Sequence, residues 1–351
     1  MKTLDDKKIL VVGGAGFVGS NLCNKLLSKF ELKKLYIVDN LLSSEIENLP
    51  DHSNVEFIYG SIADDKVLNQ LPSDLTTVFH LACYHGNQAS IVDPVADHDN
   101  NTITSLKLFD RLYSFKDIEK VVYAAAGCAV AEKTFTEASA TLEDAPVSLF
   151  HDSPYSISKL IGEMYGNYYW SRYGFPFVKA RFQNVYGPRE ILGAGRWRGT
   201  PNTVWRNVIP TFIYKSLNGE ALPLDNGGNA SRDFIFVDDL VEGLILCALF
   251  GKPSEAYNLA SGKETRILDL AEAINTITGN TTPLALQPAR DWDNSGKRFG
   301  STEKSTRELG FSASMNLYEG LKLTIEWTKD NYELISKKIA NHDTFMRRYD
   351  L

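Results

Sequence analysis

Along the first half of the chain, apolar runs of strand length alternate with longer amphipathic stretches. ILVV (Ile9 to Val12), LYIVD (Leu35 to Asp39), VEFIYG (Val55 to Gly60), TVFHLA (Thr77 to Ala82), VVYAAA (Val121 to Ala126) and PFVKARF (Pro176 to Phe182) predict strands. Their apolar positions are nearly continuous rather than alternating, as in strands covered on both faces. Stretches such as FVGSNLCNKLLSKF and ISKLIGEMYGNYYWSRYG lie between them and predict helices. Strands and helices in this alternation predict a doubly wound α/β domain around a parallel sheet.

After about Asn184 the texture changes. GPREILGAGRWRGTPNTVW is rich in glycine, arginine and proline and has no clear period, which predicts a long loop of the kind that is usually functional or mobile. DFIFVDDLVEGLILCALF (Asp233 to Phe250) returns to the sheet pattern, and the remainder mixes short strands with helices around Leu268 to Ile277 and Leu317 to Ile335. The chain's 351 residues exceed the roughly 250–300 at which a single core stops growing. The expected organisation is a sheet domain over residues 1–183 plus 233–256, and a smaller α/β substrate-binding lobe over 184–232 plus 257–351.

Composition narrows the function classes. A net charge of −7 argues against nucleic acid as a partner, since phosphate-backbone binding runs on clustered lysine and arginine. Cys23, Cys83, Cys128 and Cys247 lack the paired spacing of a metal site or a disulfide framework, so reduced thiols and no metal are expected. The opening MKTLDDKKILVVGG has no apolar leader, and no run approaches the roughly 18 apolar residues of a membrane span. The expectation is a soluble cytoplasmic protein with no membrane partner.

Chemistry first shows in VVGGAGFVGSNLCNKLL. Gly13, Gly16 and Gly19 follow a strand and open a helix, and Asp39 ends the next strand 20 residues after the last glycine. That is the dinucleotide-binding fingerprint of a Rossmann fold. Glycines let the backbone approach a pyrophosphate, the helix N-terminus adds partial positive charge, and the carboxylate takes the adenosine ribose hydroxyls. Asp39 would repel a 2′-phosphate, so NAD is expected rather than NADP.

With YSISK (Tyr155 to Lys159), FHLAC (Phe79 to Cys83), VDN (Val38 to Asn40), RFQNVYGP (Arg181 to Pro188), NVIP (Asn207 to Pro210) and SRDFIFVDDL (Ser231 to Leu240), the chain resembles the extended short-chain dehydrogenase/reductase family. The likeness is to its nucleotide-sugar epimerases and dehydratases and covers nearly the whole chain. It implies that Tyr155 takes the proton from a sugar hydroxyl as hydride leaves, and that Lys159 holds the nicotinamide ribose and lowers the tyrosine pKa. It implies cofactor contacts at Gly13, Gly16, Phe17, Val18, Gly19, Asp39, Asn40, Ser61, Ile62, Leu81, Ala82, Lys159 and Gln183. Ser61 stands where the family's usual Asp approaches the adenine. It further implies that Asn184, Asn207, Arg232, Arg290 and Asp293 hold the nucleotide-diphosphate end of the substrate, with Trp292 replacing a glycine of the last motif.

One element departs from the resemblance. The strand before the tyrosine usually ends in Ser-Ser or Ser-Thr, and one hydroxyl bonds the reacting sugar oxygen; here that position is Ala126. Gly127-Cys128 replace the Asp-Glu pair of the dehydratases, which disfavours dehydration. Cys128 is similar to the acid/base cysteine of 3,5-epimerases, and Gly195-Arg196-Trp197-Arg198-Gly199 could supply the positive charge that a thiolate there needs. His85, in CYHGNQ, could approach the sugar, but a lone histidine in a loop is more often only a hydrogen-bonding residue. The expected function is an NAD-dependent epimerase of a nucleotide-diphosphate sugar acting through a transient 4-keto intermediate. C4 inversion is favoured on the resemblance; the alternatives are 3- or 5-epimerisation using Cys128, a reductase using external NADH, or a sensor that binds without turnover. Ile161, Met164, Tyr168 and Tyr169 on the helix after Tyr155 predict a homodimer contact.

Overall fold

The computed structural model describes residues 2–130, 134–291 and 296–349. All six expected strands form, as β1 (Lys8–Val12), β2 (Lys34–Asp39), β3 (Val55–Tyr59), β4 (Thr77–His80), β5 (Lys120–Ala126) and β6 (Phe177–Phe182). A seventh, β7 (Ala256–Leu259), pairs with β6 at the edge. Every pairing in this sheet is parallel, in the order β7-β6-β5-β4-β1-β2-β3. Strand order reverses between β1 and β4, which opens the crevice where such sheets bind dinucleotides.

The expected boundary after residue 256 falls inside β7. This strand is short and carries Asn258, whose polar side chain interrupts the apolar run that marks the others. Asn258 is nonetheless buried and donates from Nδ2 to the Thr141 and Ser301 carbonyls at 2.9 and 3.2 Å. Leu309 and Phe311 also join the core on one face of the sheet, together with Ile9, Val11, Leu22 and Leu244. The other face buries Leu10, Val12, Phe109, Tyr123 and Phe177. A separate apolar cluster, with Tyr186, Ile209, Phe212, Leu224, Leu270 and Leu321, lies beyond the C-terminal edge of the sheet.

Helix α1 (Phe17–Lys29) follows β1, and α2 (Pro154–Tyr173) crosses β5 and β6. Ser153 caps α2 by accepting from Ser156 N–H, Pro154 fills its first turn, and Gly174 ends it in the left-handed conformation at φ 70°. Gly162 and Gly166 allow close approach to the sheet, because a Cβ on either would collide with Tyr123 or Phe177. On this face Glu163 forms a two-pronged pair with Arg181 of β6, at 2.9 and 2.8 Å, with both side chains at least nine-tenths buried.

Helices α3 (Val208–Leu217), α4 (Val237–Phe250), α5 (Ile267–Thr278), α6 (Leu317–Asp330) and α7 (Tyr332–Ala340) complete the principal elements. Among the described residues no helix is long and apolar enough to cross a membrane, and no cluster of three or more His, Cys, Asp or Glu could hold a metal ion.

Removing one partner of a buried ion pair strands the other charge. Glu163→Ala should therefore cost about 3–5 kcal/mol. The check is a urea unfolding curve whose midpoint falls while its slope is unchanged.

Candidate active site

The dinucleotide cradle is built where β1 meets α1. Gly13 has φ +87°, and a Cβ there would lie 2.6 Å from the Ala82 nitrogen, so the turn packs directly on the end of β4. Leu81 and Ala82 N–H both donate to the Val12 carbonyl, at 2.9 and 2.8 Å, tying two groups of expected cofactor residues together. A Cβ on Gly19 would run into the Gly13 carbonyl. Gly16 precedes α1 without a side-chain cap, leaving the amides of Phe17 and Val18 at a bare helix start.

Asp39 is almost fully buried beside this turn. Its carboxylate accepts from Ala15 N–H at 3.0 Å, Leu41 N–H at 2.9 Å and the Ser44 hydroxyl at 2.8 Å. Burial pushes its carboxyl up, against these hydrogen bonds. Held this way, the carboxylate sits at the end of β2 beside the glycine turn, where a ribose hydroxyl would meet it. Asn40 accepts from Leu42 N–H and Ser61 from Ala63 N–H, so each holds its own turn, while the Ile62 side chain lies in the apolar core. Gln183 fills the space beside Gly127 and Gly300, where a Cβ on either would meet its amide. A glycine turn that only a bare backbone can make, a bare helix start and a buried carboxylate at the end of the next strand together fit a dinucleotide.

At the C-terminal edge of the sheet the catalytic candidates converge. Tyr155 stands on the first turn of α2, and its N–H donates to the Ser90 hydroxyl at 3.1 Å. Lys159 is 3% exposed; its ammonium donates to the Ala124 carbonyl of β5 at 2.8 Å and lies 6.0 Å from the Tyr155 ring centre. Burial, then the sulfurs of Cys83 and Cys128, push the Tyr155 phenol well above its ordinary range. The expected lowering by Lys159 is thus outweighed by the chain's own surroundings. A cationic nicotinamide, when bound, would bring the further positive charge.

The segment after β4 supplies residues that the sequence reading underweighted. Cys83 sits beside Lys159, His85 and Arg198. Burial alone would raise its thiol, yet Lys159, a hydrogen bond from His85 and the Arg198 charge bring it down to about 7. Cys23 and Cys247, fully buried among apolar groups, are pushed the other way. The His85 ring meets Tyr155 edge-on at 5.9 Å, and its Nε2 lies 3.1 Å from Asn207 Oδ1. Asn207 Nδ2 donates in turn to Glu190, whose buried carboxyl is raised by desolvation. Asn207 is therefore held to His85 and Glu190 while its backbone caps the start of α3.

Asn101 fixes this segment from below. It accepts from Tyr84 N–H at 2.7 Å and donates to Asp97 at 2.8 Å and Ser158 at 3.2 Å, which links the Cys83 segment to the helix carrying Tyr155. Asn101 lies in a π-helical turn, Asp99–Ile103, a form often found at functional sites.

The glycine- and arginine-rich loop closes over the site. The Arg198 guanidinium is 7% exposed, lies over the Tyr84 ring at 4.9 Å and donates from Nη1 to the His85 carbonyl at 3.2 Å. Its Nε and Nη2 have no hydrogen-bond partner among the described residues. Arg198 thus acts on Cys83, while the sulfur of Cys128, the expected target of its charge, lies 3.9 Å from the Ser156 hydroxyl. The loop is bolted from two sides: Glu45 accepts from Gly195 N–H at 2.9 Å and pairs with Lys338 at 2.6 Å. Trp197 stacks on Phe345 at 5.4 Å, and the Tyr349 hydroxyl donates to the Gly199 carbonyl.

The remaining substrate candidates are spread around this edge. Asn184 begins a short strand, Asn184–Tyr186, that pairs with Phe234–Phe236. Arg232 donates to the Ser231 and Gly296 carbonyls at 2.7 and 2.6 Å. Arg290 is half-exposed and pairs with Asp225 at 2.5 Å. Asp293 and Trp292 lie outside the described residues.

Comparison with known proteins agrees with this geometry. Residues 9–260 match the NAD dependent epimerase/dehydratase family. The Bordetella bronchiseptica enzyme WbmF, solved with NAD+, with NAD+ and UDP, and with NADH, is 55% identical to this chain in its NAD+ complex. That complex covers 99% of both chains with a TM-score of 0.88. The UDP-glucose 4-epimerase of Thermotoga maritima, solved with UDP-glucose, is 30% identical over 93% of this chain and 99% of that one, with a TM-score of 0.82. A trifunctional UDP-glucose 4,6-dehydratase/3,5-epimerase/reductase of Arabidopsis thaliana is 27% identical over 95% of this chain, which spans about half (49%) of that protein. The chain belongs to the NAD-dependent epimerase/dehydratase family, the nucleotide-sugar group of the extended short-chain dehydrogenases/reductases, and its cofactor is NAD.

Proposed function

We propose that this chain is an NAD-dependent epimerase of nucleotide-diphosphate sugars that works through a transient 4-keto sugar. The observation that carries this is Tyr155 and Lys159 at the C-terminal edge of the sheet, adjoining the glycine cradle. NAD, when bound, supplies reversible hydride acceptance. Tyr155 removes the sugar hydroxyl proton and returns it. Lys159, fixed by the Ala124 carbonyl, orients the pair, and Asn184, Asn207 and Arg232 hold the nucleotide-diphosphate end.

Ala126 gives the sugar oxygen no hydroxyl partner, and Gly127-Cys128 give no carboxylates for dehydration. Inversion at C4 is the shortest route, since it needs only Tyr155 and turnover of the ketone, and a 4-epimerase is among the similar proteins. Inversion at C3 or C5 needs a base for a carbon-bound proton. The lowered thiol of Cys83 beside Tyr155 favours that second route.

The homodimer rests on α2. Tyr169 turns inward and donates to Asp110 at 2.9 Å, so it does not belong to the expected contact. Ile157, Ile161, Met164 and Tyr168 recur at spacings of four, three and four, which is the seam of a helix–helix contact. Met164 and Tyr168 are more than half exposed.

General acid–base groups contribute about 10²–10⁴-fold, so Tyr155→Phe should lower turnover by that order while NAD binding persists. A hydrogen bond to a charged group contributes about 1.5–3 kcal/mol, and Asp39→Ala should weaken NAD binding roughly 10–100-fold by calorimetry, with circular dichroism unchanged. Light scattering should give twice the chain's 39.2 kDa, falling to the single-chain mass in Met164→Lys/Tyr168→Glu. A single-chain mass for the unaltered protein would remove the dimer.

A further inference from the structure

One short segment stands between the cofactor cradle and the arginine loop. Residues 41–48 leave β2 just after Asp39 and Asn40 and end in a 3-10 turn, Ile46–Asn48. On one side they hold the cradle. The Leu41 N–H and the Ser44 hydroxyl donate to the Asp39 carboxylate at 2.9 and 2.8 Å. Asn48 Nδ2 donates to the Ala15 carbonyl of the glycine turn at 3.2 Å, and both Ser44 and Asn48 are buried. Leu41 sits at φ 53°, a left-handed conformation that is costly for a non-glycine residue and persists where its surroundings enforce it.

On the other side the same residues hold the loop. The Leu42 carbonyl accepts from Arg196 N–H at 3.0 Å, and the Glu45 carboxylate accepts from Gly195 N–H at 2.9 Å. Arg206 donates to the Ser43 carbonyl at 3.1 Å and to the Ala194 carbonyl at 2.7 Å, so one guanidinium rivets segment and loop together. The packing is close, because a Cβ on Gly195 would collide with the Leu42 carbonyl. Three residues further on, Arg198 reaches the His85 carbonyl at 3.2 Å, and the His85 ring meets Tyr155 and Asn207. Asp39 is thereby joined to the catalytic side of the site through hydrogen bonds that all pass by residues 41–45.

We propose that residues 41–48 couple the two ligands: NAD, by engaging Asp39, fixes this segment and with it the loop over the sugar side, so that NAD and the nucleotide sugar bind with positive cooperativity. This rests on the nucleotide-sugar reading above. Ser44 and Glu45 are positioning residues, acting through Asp39 and Gly195 rather than on a reacting atom. The physical basis is a shared ordering cost: a loop already ordered by the first ligand need not be ordered again by the second. Such coupling is reciprocal, so NAD tightens the nucleotide by the same factor as the nucleotide tightens NAD.

The test titrates the full chain, freed of cofactor, with NAD in the absence and presence of saturating UDP, and with UDP in the absence and presence of saturating NAD. GDP, dTDP and CDP are run in parallel. The expected result is that one diphosphate tightens NAD by about 5–150-fold, the range usual for coupled sites, with the same factor in the reciprocal titration. Ser44→Ala and Glu45→Ala should each bring that factor close to one. Glu45→Gln, whose side-chain oxygen still accepts from Gly195 N–H, should keep most of it. A merely structural role would weaken both ligands and leave the factor unchanged. Should Glu45→Ala fail to fold, Ser44→Ala carries the test, since it removes a single hydroxyl at the Asp39 end. Independently of any nucleotide, NAD alone should slow amide hydrogen exchange at Gly195 and Arg196. A factor of one in the unaltered protein, an unchanged factor in Ser44→Ala, or exchange at Gly195 and Arg196 indifferent to NAD would overturn the coupling and leave the epimerase reading intact. NAD binding with none of the four diphosphates bound would overturn the nucleotide-sugar reading and this coupling together.

Discussion

A buried ammonium organises this site. Lys159 lies on the face of α2 that packs against the sheet, and a single hydrogen bond to the Ala124 carbonyl holds its charge in place. Transferring a charge out of water is costly unless it is paired or hydrogen-bonded. The fold meets that cost with a strand carbonyl at hydrogen-bond distance, while the buried Asp97 carboxylate feels the ammonium's positive field without pairing with it. That field reaches the thiol of Cys83 and lies alongside the Tyr155 ring. The close approach of α2 to β5 and β6, made possible by Gly162 and Gly166, is what brings the ammonium to the strand.

The same economy runs through the surrounding shell. Asn101, in its π-helical turn, ties the segment that carries Cys83 and His85 to the helix that carries Tyr155. His85, Asn207 and Glu190 extend that link toward α3 and the substrate side. Arg198 enters from a different part of the chain and rests on Tyr84 rather than on a counter-ion. A buried guanidinium with unpaired donors is costly in isolation, and here the Tyr84 ring and the His85 carbonyl meet part of that cost.

Much of this was visible in the residues alone. Six strands announced themselves as apolar runs, and glycine spacing with Asp39 located the cofactor cradle, because both signals are local along the chain. Tyr155 and Lys159 are four apart on one helix, so they too were legible. β7 was not, since Asn258 interrupts its apolar run and its burial depends on carbonyls of distant segments. Cys128 drew attention because it adjoins the missing hydroxyl in sequence. Cys83 was passed over within FHLAC, although its place just past a strand end was a usable signal. What sets its thiol apart is contributed by residues 85, 159 and 198, and only the fold brings those together.

The clasp on the arginine loop has a consequence for how the molecule is made. The glycine turn, Asp39 and the Tyr155 helix all come from the first half of the chain, whereas the loop that carries Arg198 is secured by Phe345 on Trp197, Tyr349 on Gly199 and Lys338 through Glu45. Contacts of such large sequence separation carry the greatest loop-closure cost and are late to form. During synthesis from the N-terminus, the dinucleotide half can therefore gain its shape while the sugar side is still open. In the order of folding, the cofactor cradle can take shape ahead of the reaction chamber, and residues 338–349 are what lock the loop.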